Sequence, residues 1–124
     1  MSLILIVEDN EKNMKLVRDV LEAKGYATLE AVTGEEGVRL AAERTPDLIL
    51  MDIQLPGING IEALGQLRAD PRTALIPAIA VTASVMQGDR KKITEAGFDG
   101  YIGKPINLKE FLDTVRSMLE RNQA

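Results

Sequence analysis

Five short apolar runs recur along this chain at similar intervals, and that spacing restricts the folds open to it. The runs begin near Leu3, Ala27, Asp47, Ala78 and Asp99, with amphipathic stretches of about ten to fifteen residues between them. Strand-length apolar segments alternating with helix-length amphipathic ones are the signature of consecutive βα units around a parallel sheet. After Asp9, residues Met14, Val17 and Leu21 fall at helical spacing, and Gly25 supplies a stop. The same reasoning predicts helices near 34–44, with Pro46 following, and near 58–69, where Ile58, Ile61, Leu64 and Leu67 form a stripe. A helix near 85–96 has few apolar anchors besides Val85, Met86 and Ile93, so weak, mobile packing is expected there. The last helix carries Leu108, Phe111, Leu112, Val115 and Leu119 on one face, with Asn107 as its N-cap. No linker or repeat interrupts the pattern, and 124 residues with 45% hydrophobic content fit one domain spanning 1–124.

Strand composition predicts an order. Strands covered on both faces read as continuous apolar runs, as 3–7, 48–51 and 78–81 do, whereas Ala27–Val32 is broken by Thr28 and Glu30, and 99–102 is short. The first, third and fourth strands are therefore expected at the centre and the other two at the edges, as in a doubly wound α/β sheet of order 2-1-3-4-5. Such sheets bind ligands beyond the carboxyl ends of the strands, at the switch point between strands one and three. Polar groups stand at those ends: Glu8-Asp9 after LILIV, Asp52 after LILM, Thr82 after AIAV and Lys104-Pro105 after GYIG. Charged groups beside buried strands are costly unless paired or holding an ion. Three carboxylates, a hydroxyl and a lysine at one edge can bind a divalent cation and a phosphoryl group.

Composition narrows the partners. Net charge is −4, and the basic residues are scattered rather than clustered, which argues against nucleic acid as a ligand. The chain has no cysteine, which excludes disulfides, thiol catalysis and thiolate metal sites. It has neither a signal peptide nor an apolar run of membrane-spanning length, so no membrane partner and a cytoplasmic location are expected. It also has no histidine. Any phosphohistidine chemistry has to come from another molecule.

Four motifs, VEDN at 7–10, LILMDIQLPGINGIE at 48–62, AVTA at 80–83 and YIGKP at 101–105, closely resemble in order and spacing the receiver domain of two-component response regulators. The opening VEDNEKNMKLVRDVLEAKGY is similar in particular to free-standing, DivK-type regulators. The resemblance covers essentially the whole chain and implies a flavodoxin-like fold of five parallel strands and five helices. It implies that Asp52 is the phosphoacceptor and that Mg²⁺ is held by Asp9, Asp52 and the backbone carbonyl of Gln54, with Glu8 acting largely through water. Lys104 and Thr82 are expected to contact the phosphoryl oxygens, the Lys104-Pro105 bond to be cis, and Thr82 with Tyr101 to form the switch. Gln54 and Ser84 are expected to tune the acyl-phosphate lifetime.

Plainer readings stand beside these. Asp9-Asn10 is also a helix N-cap pattern, Thr82 a good strand residue, Tyr101 an edge-strand aromatic, and Lys104 a surface charge. Glu35-Glu36, Asp89 to Lys92 and Glu120-Arg121 read as solvated helix faces. The functional expectation is a phosphorelay switch rather than an enzyme acting on a separate substrate, limited to its own phosphotransfer and autodephosphorylation. Its donor is a histidine kinase or histidine phosphotransfer protein, and its altered surface of helix four, strand five and helix five binds a protein target. No output domain and a monomer or weak phosphorylation-dependent dimer are expected. A haloacid-dehalogenase-type phosphohydrolase also uses an aspartyl nucleophile, but needs an acid two residues later, where Gln54 stands. A degenerate receiver that only binds partners is the other alternative, and its mark is loss of an acidic or lysine position.

Overall fold

A computed structural model describes residues 2–83 and 87–123; Ser84, Val85 and Met86, to which expectations were attached, lie outside the described residues. The chain alternates β1 (Leu3–Val7), α1 (Glu11–Ala23), β2 (Ala27–Ala31), α2 (Gly34–Arg44), β3 (Leu48–Asp52), α3 (Gly60–Ala69), β4 (Ala78–Thr82), α4 (Gln87–Ala96), β5 (Gly100–Gly103) and α5 (Leu108–Gln123). The strands form one sheet of order β2-β1-β3-β4-β5, every pairing parallel. The expected order therefore holds, with the strand broken by Thr28 and Glu30 and the short glycine-bounded strand at the edges.

Alternation along each strand divides the interior into two layers. Leu5, Val7, Ile49, Met51, Ala78 and Ala80 face α2, α3 and α4, where they meet Ala41, Leu64, Leu67, Ile93 and Phe98. Ile4, Ile6, Leu48, Leu50, Ile79 and Val81 face α1 and α5, against Met14, Val17, Leu21, Phe111, Val115 and Leu119. Burying a leucine, isoleucine or phenylalanine side chain is worth about 1.5–3 kcal/mol. That drive makes a one-residue slip of any central strand prohibitive, because it would exchange the layers.

Two strands begin one residue later than their apolar runs, for one reason. Asp47 Oδ2 accepts from Leu3 N at 2.7 Å, and Asp99 Oδ2 accepts from Ala78 N at 2.9 Å. Each aspartate, placed just before β3 or β5, closes the first open N–H of the neighbouring strand. Helix starts are set by side-chain acceptors: Asn10, Thr33, Asn59 and Asn107 each take a backbone N–H of the first turn. At Asn59 the capping box with Glu62 starts α3 at Gly60, two residues later than its stripe of apolar residues begins. Gly60 lies against the Asp52 carbonyl, and a Cβ there would collide with it. Only glycine lets α3 start this close to the end of β3.

Candidate functional site

Because the strands are parallel, the residues that end or follow β1, β3, β4 and β5 share the carboxyl edge of the sheet. Glu8 and Asp9 follow β1, Asp52 ends β3, Thr82 ends β4, and Lys104 follows β5. Lys104 N donates to Thr82 O at 2.8 Å, which fastens the chain after β5 beside β4, and the Lys104-Pro105 peptide is cis. From that anchor the lysine side chain reaches two carboxylates, with Nζ 2.9 Å from Asp52 Oδ2 and 3.0 Å from Glu8 Oε1. The second oxygens are also engaged: Asp52 Oδ1 accepts from Gln54 N at 3.0 Å, and Glu8 Oε2 from Asn10 N at 3.2 Å. Glu8, Asp52 and Thr82 are 4%, 3% and 2% exposed, so the pairing is made out of water.

Asp9 completes the acidic set from the exposed rim. One oxygen from each of Glu8, Asp9 and Asp52 lies within 4.8 Å of the others. The capping role that VEDN also allowed falls to Asn10, whose Oδ1 accepts from Lys12 N and Asn13 N at 3.0 and 3.1 Å. Asp9 is left to the cluster. Three carboxylates against one lysine leave the site short of positive charge, and hard oxygen donors in this grouping suit a divalent cation such as Mg²⁺.

The imbalance is registered by Glu8. Burial, reinforced by its hydrogen bond with Asp52, pushes its carboxyl up from 4.5 to about 7, against the opposing pull of Lys104. Lys104 loses some basicity to burial, but its bonds to Asp52 and Glu8 outweigh that and hold its pKa above the ordinary lysine value. An acid with a raised pKa in the fold contributes stability that is complete below its unfolded value and is lost as pH rises through the folded one. With divalent cations chelated, stability should therefore fall as pH rises from 4.5 through about 7. Urea melts of the parent and Glu8→Gln across that range test this; parallel pH profiles would overturn it.

The remaining expected residues lie around this centre. Gln54 is exposed two residues beyond Asp52, and Ile53 N donates to Val81 O at 3.1 Å, tying the start of that loop to β4. Tyr101 points outward from β5 and is 36% exposed, and the Arg90 guanidinium lies 5.0 Å from its ring centroid. A cavity of about 560 Å³ beside it is lined by Arg90, Tyr101, Lys104, Pro105, Glu110 and Asp113. Glu35 and Glu36 are not simply a solvated face. Glu36 Oε1 accepts from Val32 N at 3.2 Å, and Glu35 Oε1 from Ile58 N at 3.4 Å, so α2 braces the loop beyond Asp52.

Arg68 had no place in the sequence reasoning. Its guanidinium reaches the carbonyls of Ala74 at 3.2 Å, Ile76 at 2.7 Å and Gly97 at 3.3 Å, and Asp99 Oδ2 at 3.2 Å, joining α3 to the turns before β4 and β5. Most of its partners are backbone atoms, which carry no residue signal.

A doubly wound sheet with acids after β1, an aspartate ending β3, a threonine ending β4 and a lysine reaching back from β5 is the architecture of a receiver-type signalling domain. The chain belongs to the response regulator receiver domain family, whose pattern matches residues 4–116. It is a two-component signalling regulator. Among its relatives is the polar-differentiation response regulator DivK of Brucella ovis, 50% identical over 116 residues that cover 94% of each chain. The receiver domain of a sensor histidine kinase from Pseudomonas aeruginosa PAO1, solved with magnesium coordinated in its active site cleft, superposes with a TM-score of 0.90 at 34% identity, covering 96% of this chain and 98% of that one. A CheY-like receiver from Methanospirillum hungatei gives a TM-score of 0.91 at 28% identity, over 99% of this chain and 97% of the other. Among the described residues, no helix is long and apolar enough to cross a membrane.

Proposed function

We propose that the chain is a phosphoacceptor switch in which Asp52 takes a phosphoryl group from a phosphohistidine of a histidine kinase or phosphotransfer protein. The supporting observation is the pairing of a buried strand-end carboxylate with Lys104 at 2.9 Å beside two further acids. An Asp52 carboxylate oxygen attacks phosphorus, the P–N bond breaks, and its electron pair returns to the donor imidazole. The carboxylate becomes an acyl phosphate, which water later hydrolyses to restore the aspartate and release phosphate.

Glu8, Asp9, Asp52 and the Gln54 carbonyl are the groups to hold Mg²⁺, which when bound neutralises phosphoryl charge. Lys104 supplies a point charge to the phosphoryl oxygens, and the Thr82 hydroxyl donates to one of them. Movement of Thr82 draws Tyr101 from its exposed place beside Arg90, and the surface formed by α4, β5 and α5 changes to fit a protein target. Output is then a protein contact or a relay step.

Incubation with acetyl phosphate and Mg²⁺ should add one phosphoryl mass, about 80 Da, to the protein and none to Asp52→Asn. An unmodified parent, or equal modification of Asp52→Asn, would overturn the reading and favour a domain that binds partners without phosphorylation.

A further inference from the structure

An open groove of about 420 Å³ lies between the turn after α1 and the helix α5, lined by Lys24, Tyr26, Lys109, Leu112, Asp113 and Arg116. Three of those six residues are cations, in a protein whose net charge is −4. Arg116 is shared with Asp113 at 3.4 Å, both well exposed, a pair worth little in water. Among the described residues, neither Lys24 nor Lys109 has a carboxylate within ion-pair distance. The floor is apolar: Tyr26 and Leu112 are half-buried against the α1/α5 core layer.

We propose that this groove docks an acidic segment of a partner protein, with carboxylates over Lys24, Lys109 and Arg116 and an apolar side chain on Tyr26 and Leu112. All three cations are exposed. A small polyanion would gain little from such a site, because no buried donor aims into it and water screens each charge. An extended chain spreads several carboxylates over separated cations and adds apolar burial between them. The groove borders α5 on the side turned from Tyr101, with Asp113 at the boundary of both cavities. It is therefore a second docking surface, separate from the one beside Tyr101.

The probe is a synthetic dodecapeptide of glutamates around a central tryptophan, labelled for fluorescence anisotropy and titrated in parallel by amide NMR. Binding should weaken at least about tenfold between 50 mM and 500 mM NaCl, as expected for exposed charges. Shifts should centre on Lys24, Tyr26, Lys109, Leu112 and Arg116. Lys24→Glu and Lys109→Glu should each weaken binding severalfold while leaving acetyl-phosphate labelling unchanged, and Asp52→Asn should bind the peptide like the parent, so this inference and the proposed function fail separately. Unchanged affinity in both charge reversals, or shifts confined to Arg90, Lys91 and Lys92, would overturn the proposal. So would shifts with pyrophosphate but not the peptide, which would mark a small-anion site, or the same shifts on raising protein concentration alone, which would mark self-association.

Discussion

Lys104→Met should slow acetyl-phosphate labelling of Asp52 by about 10²–10³, the usual cost of removing one preorganised electrostatic group from a reacting centre. The methionine keeps the length of the side chain and removes only the charge that lies 2.9 and 3.0 Å from Asp52 and Glu8. Two buried carboxylates are then left facing each other. Breaking a buried pair from one side costs about 3–5 kcal/mol, but here Glu8 can take up a proton and relieve part of it. The variant should therefore be close to the parent in stability at pH 5 and clearly weaker at pH 8. Labelling within about threefold of the parent would remove Lys104 from the chemistry.

Phe111→Ala should be the most damaging single truncation in the core. The ring is fully buried and packs in the α1/α5 layer with Ile6, Leu50 and Val81. Its removal should cost about 3–5 kcal/mol from lost transfer energy and the cavity left behind. For a chain of this length that is a fall in Tm of roughly 10–20 °C. Phe111 also lines the small cavity beneath Glu8, together with Ile6, Val7, Val17, Leu50 and Val81. Truncation should admit water there and flatten the pH dependence that Glu8 imposes. A loss below about 1 kcal/mol would mean that the layer collapses around the gap.

How much was legible in the sequence follows from where the information lay. Strand order could be read because β1 is apolar throughout and β3 and β4 are apolar up to their last residues, while Thr28 and Glu30 interrupt β2. The site could be read because a parallel sheet sends every strand end to one edge, so Glu8, Asp9, Asp52, Thr82 and Lys104 meet wherever the pattern holds. Contacts made to backbone were hidden. Arg68 reaches carbonyls from Ala74 to Gly97, and Glu35 reaches from α2 to the amide of Ile58 in the loop before α3. Nothing in the residue types at those positions announces a partner, since every residue offers a carbonyl and all but proline an amide. The Arg90 guanidinium over Tyr101 was missed for a related reason: a lysine- and arginine-rich helix face has solvent as its ordinary reading.

The layering of the sheet also sets a route. Asp52 continues the Leu48, Leu50 side of β3, toward α1 and α5, whereas Thr82 continues the Ala78, Ala80 side of β4, toward α4. Asp52 pairs with Val81, one residue short of Thr82. The sheet is thus a wall with the buried carboxylate on one side and the hydroxyl on the other, and at its carboxyl edge a single step of register separates them.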